Sequence, residues 1–272
     1  MKLVYRKKPP KRMSLFFIGD THYPRGKRKI FQNVLHDDVL NCEYESRMIF
    51  MGDAVEGITH IDPRYDPEEM AYHIKKNGGS DDSNINMINE QWDMFESDMK
   101  EVLEEGVVDS MFSGTHESSL IKYQSRNDMK GICKRYNVDY LGNGYAVLCY
   151  AYKNKPLIIL ASHGQGGGIT SKYVVGKLED DAKLLPSANM VVRGHHHKLL
   201  TLSHIPGFSL SDKYTNIKAN HQKLGCSGSF LGNYELGVTD YGERKGYHPL
   251  PIGYLRAEID NGEILSFNEV IV

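Results

Sequence analysis

Five short apolar runs in this chain each stop at aspartate or histidine residues. The runs have the length of β-strands, and the polar residues after them are of types that bind metal ions or transfer protons. An unpaired charge buried at a strand end is costly, so packing alone does not explain the repetition. The five segments are 15–22, 48–53, 107–117, 157–163 and 190–197.

The order of the apolar patterns predicts an α/β fold, because strand-like and helix-like segments alternate through the first half. Two later segments form a predicted hairpin around a turn at 153–155, which indicates a mixed sheet or two sheets. Predicted strands cover 13–19, 47–52, 107–113, 145–152, 156–162 and 188–193, with more strands after 199. Predicted helices cover 30–40, 84–105, 118–136 and 169–184, and Trp92 is expected in the core.

The 272 residues are enough for one large α/β domain or two smaller ones. We predict a single domain, 1–272, with a basic N-terminal tail at 1–12 and an irregular insertion at 57–83. No apolar stretch approaches the roughly 20 residues that span a bilayer. The start lacks the pattern of a secretion signal, and the four cysteines are scattered. These features favour a cytoplasmic protein with reduced thiols.

Basic residues are concentrated at the N-terminal end, although the net charge of the whole chain is only −2. Residues 1–30 contain ten Lys or Arg and a single acid, Asp20. Such an asymmetry is typical of an anion-facing end, although a solvated tail at 2–12 would give the same pattern. A second basic cluster directly follows Asp20 and His22, and we predict that it binds substrate. Its members are Arg25, Lys27, Arg28 and Lys29.

Together the polar groups form an ordered series of motifs: D-x-H, G-D, G-x-H-E, S-H-G and G-H-x-H. This order and spacing resembles the calcineurin-like metallophosphoesterase superfamily. The resemblance implies a sandwich of two mixed β-sheets flanked by helices, with a two-metal site. The implied metal ligands are Asp20, His22 and His197 at the first ion, His163, His195 and Thr115 at the second, and Asp53 between them.

The resemblance also implies the chemistry of the site. Imidazole and carboxylate ligands suit Mn, Fe or Zn better than Mg or Ca. Mn is the expected ion, with Fe, Zn and Ni as alternatives. Two such ions can clamp a phosphoryl oxygen and generate a hydroxide nucleophile at neutral pH. His116 would then be the general acid or transition-state stabiliser. His196, which lies between two implied ligands, is expected to be structural.

Thr115 departs from the pattern of the superfamily, whose motif reads G-N-H-[DE] and uses the asparagine as a ligand. A threonine hydroxyl is shorter and a poorer neutral donor. Thr115 could ligate directly or through water, an unidentified group could replace it, or the second site could be weak or empty. The other ligands are present, which favours an active enzyme.

The run at 52–58 lacks the arginine with which the resembled protein phosphatases hold a phosphomonoester. No tyrosine stands where purple acid phosphatases have their ligand. The nuclease and phosphodiesterase branches remain, so we predict phosphodiester hydrolysis, with DNA as the leading substrate. The alternatives are a small nucleotide phosphodiesterase or phosphomonoesterase, and a metal-poor, non-enzymatic scaffold. The resemblance also allows a homodimer.

Overall fold

A computed structural model describes residues 1–58, 62, 65–76, 87–153, 155–168, 170–210, 215–232, 234, 241–244 and 246–272. The strands are β1 (Lys2–Arg6), β2 (Arg12–Ile18), β3 (Glu45–Phe50), β4 (Val108–Phe112), β5 (Asp139–Gly142), β6 (Tyr145–Tyr150), β7 (Leu157–Ser162), β8 (Met190–Arg193), β9 (Leu199–Leu210), β10 (Ile217–Ser227), β11 (Gly253–Asp260) and β12 (Glu263–Ile271). The helices are α1 (Arg28–Asn33), α2 (Pro67–Lys76), α3 (Met87–Glu104), α4 (Thr115–Gln124), α5 (Asp128–Arg135), α6 (Ser171–Leu184) and α7 (Tyr241–Arg244). A π-helix, Val34–Leu40, continues α1.

The strands form two six-stranded mixed sheets, as predicted. The first sheet has the order β12-β11-β2-β3-β4-β5, and its strands β2 to β5 run parallel. The second sheet has the order β1-β6-β7-β8-β10-β9, with β7 parallel to β8 and β8 parallel to β10. The predicted hairpin is the antiparallel pair β6–β7, and position 154 of its turn lies outside the described residues.

Both faces of β2 are buried, which explains why its sequence is an uninterrupted apolar run. Met13, Leu15 and Phe17 point into the space between the two sheets, where Ile159 and Leu255 also pack. The alternate residues of β2 contribute to a second cluster, under the helices that cover the first sheet, and Trp92 lies there as predicted. On the outer face of the second sheet, α6 packs over a third cluster. The layers are therefore helices, sheet, sheet and helix.

The N-terminal basic segment is not a tail, and this prediction was wrong for residues 2–6. They form β1, which pairs in parallel with β6 and buries Val4. Its last residue, Arg6, reaches the other sheet and contacts Asp109 at 3.0 Å and Asp139 at 2.8 Å. The charges of the segment lie on an exposed sheet edge, where charged side chains are common because they discourage pairing between molecules.

The insertion at 57–83 is not wholly irregular, because it contains α2. The carboxylate of Asp66 accepts hydrogen bonds from the amides of Glu68 and Glu69, at 3.1 Å each, and Pro67 occupies the first helical position. Met70 and Ile74 then pack into the cluster under the helices. Positions 59–61, 63–64 and 77–83 of the insertion lie outside the described residues.

The predicted helix at 118–136 is two helices. Ser125 has a left-handed backbone, with φ of 55°, which ends α4. The side chain of Asn127 then accepts a hydrogen bond from the amide of Lys130 and caps α5. None of the helices in the described part of the chain combines the length and apolarity needed to cross a membrane.

Candidate metal centre

The motif residues meet at one edge of the sandwich, where parallel strands of both sheets end. Asp20 follows β2 and Asp53 follows β3 in the first sheet, whereas His163 follows β7 and His195 follows β8 in the second. Ligands gather at the carboxyl ends of strands in α/β proteins. Three groups of Asp and His side chains result, and within each group the candidate ligand atoms lie within 4.8 Å of one another.

The first group contains Asp20, His22 and His197. The Nε2 atoms of the two histidines are 2.9 Å apart. Asp20 Oδ1 lies 3.3 Å from the Nε2 of His197 and 3.8 Å from that of His22. Asp20 is fully buried, and its Oδ1 atom has no hydrogen-bond partner. A buried carboxylate oxygen without a hydrogen-bond donor, close to two imidazole nitrogens, fits a bound cation, because it would otherwise be left unsatisfied.

The second group contains Asp53, His163 and His195. Asp53 Oδ2 lies 3.1 Å from Nε2 of His163 and 3.9 Å from Nδ1 of His195, and both nitrogens are buried without a hydrogen-bond partner. Thr115 lies beside them, and its hydroxyl donates to the same Asp53 oxygen at 3.2 Å. Asp53 also belongs to a group with His22 and His116. It therefore lies between the first and second groups, the position that a bridging ligand requires.

Contacts on the far side of three of the imidazoles orient them for metal binding. Nδ1 of His163 donates to the carbonyl of Met51 at 2.8 Å, and Nε2 of His195 donates to that of Gly166 at 2.8 Å. Because a carbonyl only accepts, these bonds place a proton on the outward-facing nitrogen, so the inward-facing nitrogen is the one available to a metal ion. Nδ1 of His22 lies 3.3 Å from a carboxylate oxygen of Glu56. The donor set fits Mn, Fe or Zn.

The ligand-bearing loops have unusual backbone conformations. Five of the seven implied ligands are non-glycine residues in the left-handed region, which such residues rarely adopt. These are Asp20 (φ 52°), His22 (48°), Asp53 (50°), His195 (70°) and His197 (53°). Each such residue costs on the order of 1 kcal/mol or more, and this strain is typical of functional sites. The loops thus maintain a strained backbone that turns these side chains towards common points.

Burial and close opposite charges shift the pKa values in the groups. Burial opposes ionisation of Asp20, but the nearby imidazoles of His197 and His22 outweigh it and lower the pKa of Asp20. Burial likewise works against a charged His22, but contacts with Asp20 and Glu56 raise its pKa to about 10. For His163, the negative Asp53 overcomes burial and raises the pKa to about 9. Metal ions must displace protons from such imidazoles.

Glu56 is a site residue for which the sequence analysis predicted no role. Its buried carboxylate lies 3.3 Å from His22, 3.4 Å from Arg25 and 3.8 Å from Nδ1 of His116. Burial raises its pKa, but Arg25 and His22 more than offset this effect and lower it. The only sequence signal was a carboxylate three residues after Asp53. Glu56 therefore lies beside both a candidate metal ligand, His22, and the predicted catalytic residue, His116.

Glu117 joins the loops that follow β3 and β4. Its buried carboxylate accepts hydrogen bonds from the amides of Asp53, Ala54 and Gly114, at 3.0, 2.7 and 2.6 Å. Burial and the neighbouring Asp53 raise its pKa to about 7. The residue appeared in the G-x-H-E motif without an assigned task. Its contacts show that it fixes the loop carrying Asp53 against the start of α4.

His116 lies on α4 beside both groups, and its ring is held by the loop after β3. Nδ1 of His116 donates to the carbonyl of Glu56. The ring also lines a cavity of about 400 Å³ that reaches His22, His195 and His197. His116 is thus close enough to the candidate ligands to act on a group bound between them. His196 is buried against Tyr173 and belongs to none of the Asp and His groups found in the described residues.

The four predicted substrate-binding residues differ in their surroundings. Arg25 is buried and contacts two carboxylates, Glu56 at 3.4 Å and Glu69 at 2.9 Å. The guanidinium of Arg28 forms a bidentate ion pair with the carboxylate of Asp98, with nitrogen–oxygen distances of 2.6 and 2.7 Å. Lys27 is half-buried and Lys29 is exposed. The two arginines therefore carry largely compensated charges, and their role in substrate binding stays a prediction.

No protein-family model matches the chain, and no curated protein matches it. Similar solved structures include a conserved uncharacterised protein from Streptococcus pneumoniae TIGR4, described as a predicted phosphoesterase. It is 12% identical, with 97% of this chain and 100% of that chain covered and a TM-score of 0.36. A hypothetical protein from Pyrococcus horikoshii OT3 is 10% identical, with 96% and 88% covered and a TM-score of 0.46.

Zinc-complexed Vps29 from Entamoeba histolytica is 10% identical, with 96% of this chain and 98% of that chain covered and a TM-score of 0.38. Similarity at this level carries no function from these proteins to this chain. The architecture is nevertheless the one that the resemblance to the calcineurin-like metallophosphoesterases implies: two mixed sheets, flanking helices, and Asp and His motifs gathered at one edge.

Proposed function

We propose that this protein is a metal-dependent phosphoesterase that hydrolyses phosphodiesters, with DNA or a nucleotide diester as substrate. The observation that carries the proposal is the pair of Asp and His groups around the shared Asp53, with His116 beside them. Two divalent ions bound there would polarise the phosphoryl oxygens and supply a nucleophile at neutral pH. Mn is the expected ion, with Fe, Zn and Ni as alternatives.

His116 is the residue proposed to protonate the leaving oxygen. Its Nδ1 atom already donates to the Glu56 carbonyl, so Nε2 is the nitrogen that can serve the substrate. A ring that donates from both nitrogens must be doubly protonated. The carboxylate of Glu56, 3.8 Å from Nδ1, places a negative charge beside that cation. Glu56 therefore acts as a positioning residue for proton transfer.

Thr115 is proposed to complete the second ion's ligand set, directly or through water. Its hydroxyl is 3.2 Å from the Asp53 oxygen that also faces His163 and His195, which supports this role. The hydroxyl would have to turn its proton elsewhere and present a lone pair. Replacement by another group, or a weak second site, would show as fewer than two ions bound per chain.

The substrate class has two candidates. DNA was predicted from the basic cluster, in which Arg25 and Arg28 are each paired with carboxylates and Lys29 is exposed. A small nucleotide diester is favoured by the cavity of about 400 Å³ beside the metal-ligand candidates. Replacing Lys27 and Lys29 by Ala separates the two, because only cleavage of DNA should weaken.

Hydrolysis of bis-p-nitrophenyl phosphate beside p-nitrophenyl phosphate tests the proposal. Metal-stripped protein is given back Mn, Zn, Ni or Mg, and metal content is measured in parallel. We expect diester turnover that depends on Mn or a similar ion. His116→Ala should abolish most turnover with the bound metal unchanged. A chain that retains no metal and hydrolyses neither ester would instead be the non-enzymatic scaffold.

A further inference from the structure

Part of the lining of the cavity beside the metal-ligand candidates comes from a segment, residues 242–244 and 246–250, that contains none of the motifs. Tyr247 and Leu250 of this segment, together with Leu231, line the same cavity as the histidine cluster (His22, His116, His195 and His197). Tyr247 is 37% exposed, so its side chain is partly accessible. An apolar and aromatic wall next to a polar, ligand-rich wall is the arrangement of a site for a molecule with one flat apolar end.

The charges of the lining residues limit which chemical groups the cavity can bind beside a phosphate. Among the described lining residues, the permanently cationic side chains are Arg25 and Lys198. Arg25 is compensated by Glu56 and Glu69, at 3.4 and 2.9 Å. Proteins that follow a phosphate backbone offer several uncompensated cations. The cavity therefore suits one phosphate at the histidine cluster and an uncharged group beyond it.

A series of ion pairs connects this segment to the rest of the site. Arg244, on α7, contacts Asp66, which directly precedes α2, at 2.7 Å and Glu69, on α2, at 2.5 Å. The other oxygen of Glu69 contacts Arg25, which in turn pairs with Glu56 beside His22. The hydroxyl of Tyr234 also donates to the carbonyl of Tyr247 at 2.7 Å. These contacts hold the segment at a fixed distance from the metal-ligand candidates.

We infer that Tyr247, supported by Leu231 and Leu250, is a specificity residue that holds a flat apolar substituent of the phosphoester, such as an aryl ring or a nucleobase. The inference rests on the proposed function for the chemistry at the phosphate, and adds the class of group that is bound beside it. Arg244 is a positioning residue that keeps this wall in place through α2.

Binding of two stable phosphonates tests the inference without turnover. Phenylphosphonate and methylphosphonate share the anionic group and differ in the substituent, and calorimetry gives both affinities on Mn-loaded protein. We expect about a tenfold preference for the phenyl compound, as aromatic stacking provides. Tyr247→Ala should reduce the preference to about twofold, Tyr247→Phe should retain it, and Arg244→Gln should lower it partly. Tyr123→Ala, at an exposed tyrosine on α4, should leave it unchanged.

A kinetic arm separates this inference from the proposed function. Phenyl p-nitrophenyl phosphate and methyl p-nitrophenyl phosphate have the same leaving group, so their kcat/KM ratio reports the other substituent alone. Hydrolysis of both esters with equal kcat/KM, or an unchanged phosphonate preference in Tyr247→Ala, would overturn the inference and leave the function standing. A Tyr247-dependent phosphonate preference without hydrolysis of either ester would support the specificity role of Tyr247 and count against the proposed phosphoesterase function.

Discussion

Gly114 shows how little room the candidate metal site leaves at the scale of one residue. An added Cβ atom at this position would lie 2.0 Å from Oδ1 of Asp53 and 2.4 Å from its amide nitrogen. Such contacts are far inside van der Waals distance, so Asp53 or the start of α4 would have to move. The glycine before Thr115 is therefore required by the close approach of two loops and not by its own backbone angle.

We expect Gly114→Ala to lower the free energy of unfolding by about 1–3 kcal/mol, as overpacking does elsewhere. Bound metal should also fall below the wild-type content, because Asp53 is displaced. Urea unfolding and elemental analysis measure the two effects. Gly144→Ala is the matched control, since nothing lies within 4 Å of its added Cβ atom. Wild-type metal content in Gly114→Ala would show that the loops can separate without harm.

Glu56 provides a second prediction at this scale. Glu56→Gln keeps the size of the side chain but removes the charge that faces His22, Arg25 and His116. Removing such an outer partner of a metal-binding histidine typically costs about 10- to 100-fold in metal affinity or activity. We expect a loss of that size in kcat/KM for bis-p-nitrophenyl phosphate, with Glu263→Gln as an exposed control. Unchanged kinetics and metal affinity in Glu56→Gln would show that Glu56 has only a structural role.

The implied ligands were predictable because each of the five motifs that contain them follows its own strand. The structure brings Asp20, Asp53 and the histidines together at the strand ends, although whether they bind metal stays a prediction. The surroundings of Arg25 and Arg28 were not predictable. Their partners Glu69 and Asp98 come from distant helices, and no local pattern indicates that these helices fold back over the basic cluster.

At the scale of elements, β1 is informative because its sequence gives almost no strand signal. Its residues are mostly charged or exposed, and only Val4 is buried. The strand forms because β6 offers an open edge and because Arg6 finds Asp109 and Asp139 across the sandwich. Tyr150 donates to the same Asp109 at 2.5 Å. Tertiary context thus overrides a weak local preference.

Arg6→Met tests whether these contacts hold β1 in place. Methionine keeps much of the aliphatic length and removes the hydrogen bonds to Asp109, which is mostly buried. We expect the free energy of unfolding to fall by about 1.5–3 kcal/mol, the range for hydrogen bonds to charged groups. Lys7→Met, at the exposed neighbouring position, should change it by less than about 0.5 kcal/mol. Equal stability of the two variants would mean that β1 pairs with β6 without help from Arg6.

At the scale of the whole molecule, the first and second groups of candidate ligands each combine residues from both sheets. The first group combines Asp20 and His22 from the loop after β2 with His197 from the loop after β8. The second combines Asp53, after β3, with His163 and His195 of the other sheet. An ion in either group therefore ties the two halves of the sandwich together at the edge where the strained loops lie.

Metal should for this reason stabilise the folded chain as well as support activity. An ion that binds only the folded state contributes about 2.7 kcal/mol at one hundred times its dissociation constant. For a domain of this size that corresponds to a rise in Tm of roughly 5–10 °C. Metal-stripped protein should show this rise with Mn or Zn and a smaller one with Mg, which imidazole-rich sites bind weakly. Asp53→Asn should lose most of the rise because Asp53 faces both groups, whereas Glu263→Gln should keep it. An identical Tm for stripped and metal-supplied wild-type protein would mean that the groups do not bind these ions across the two sheets.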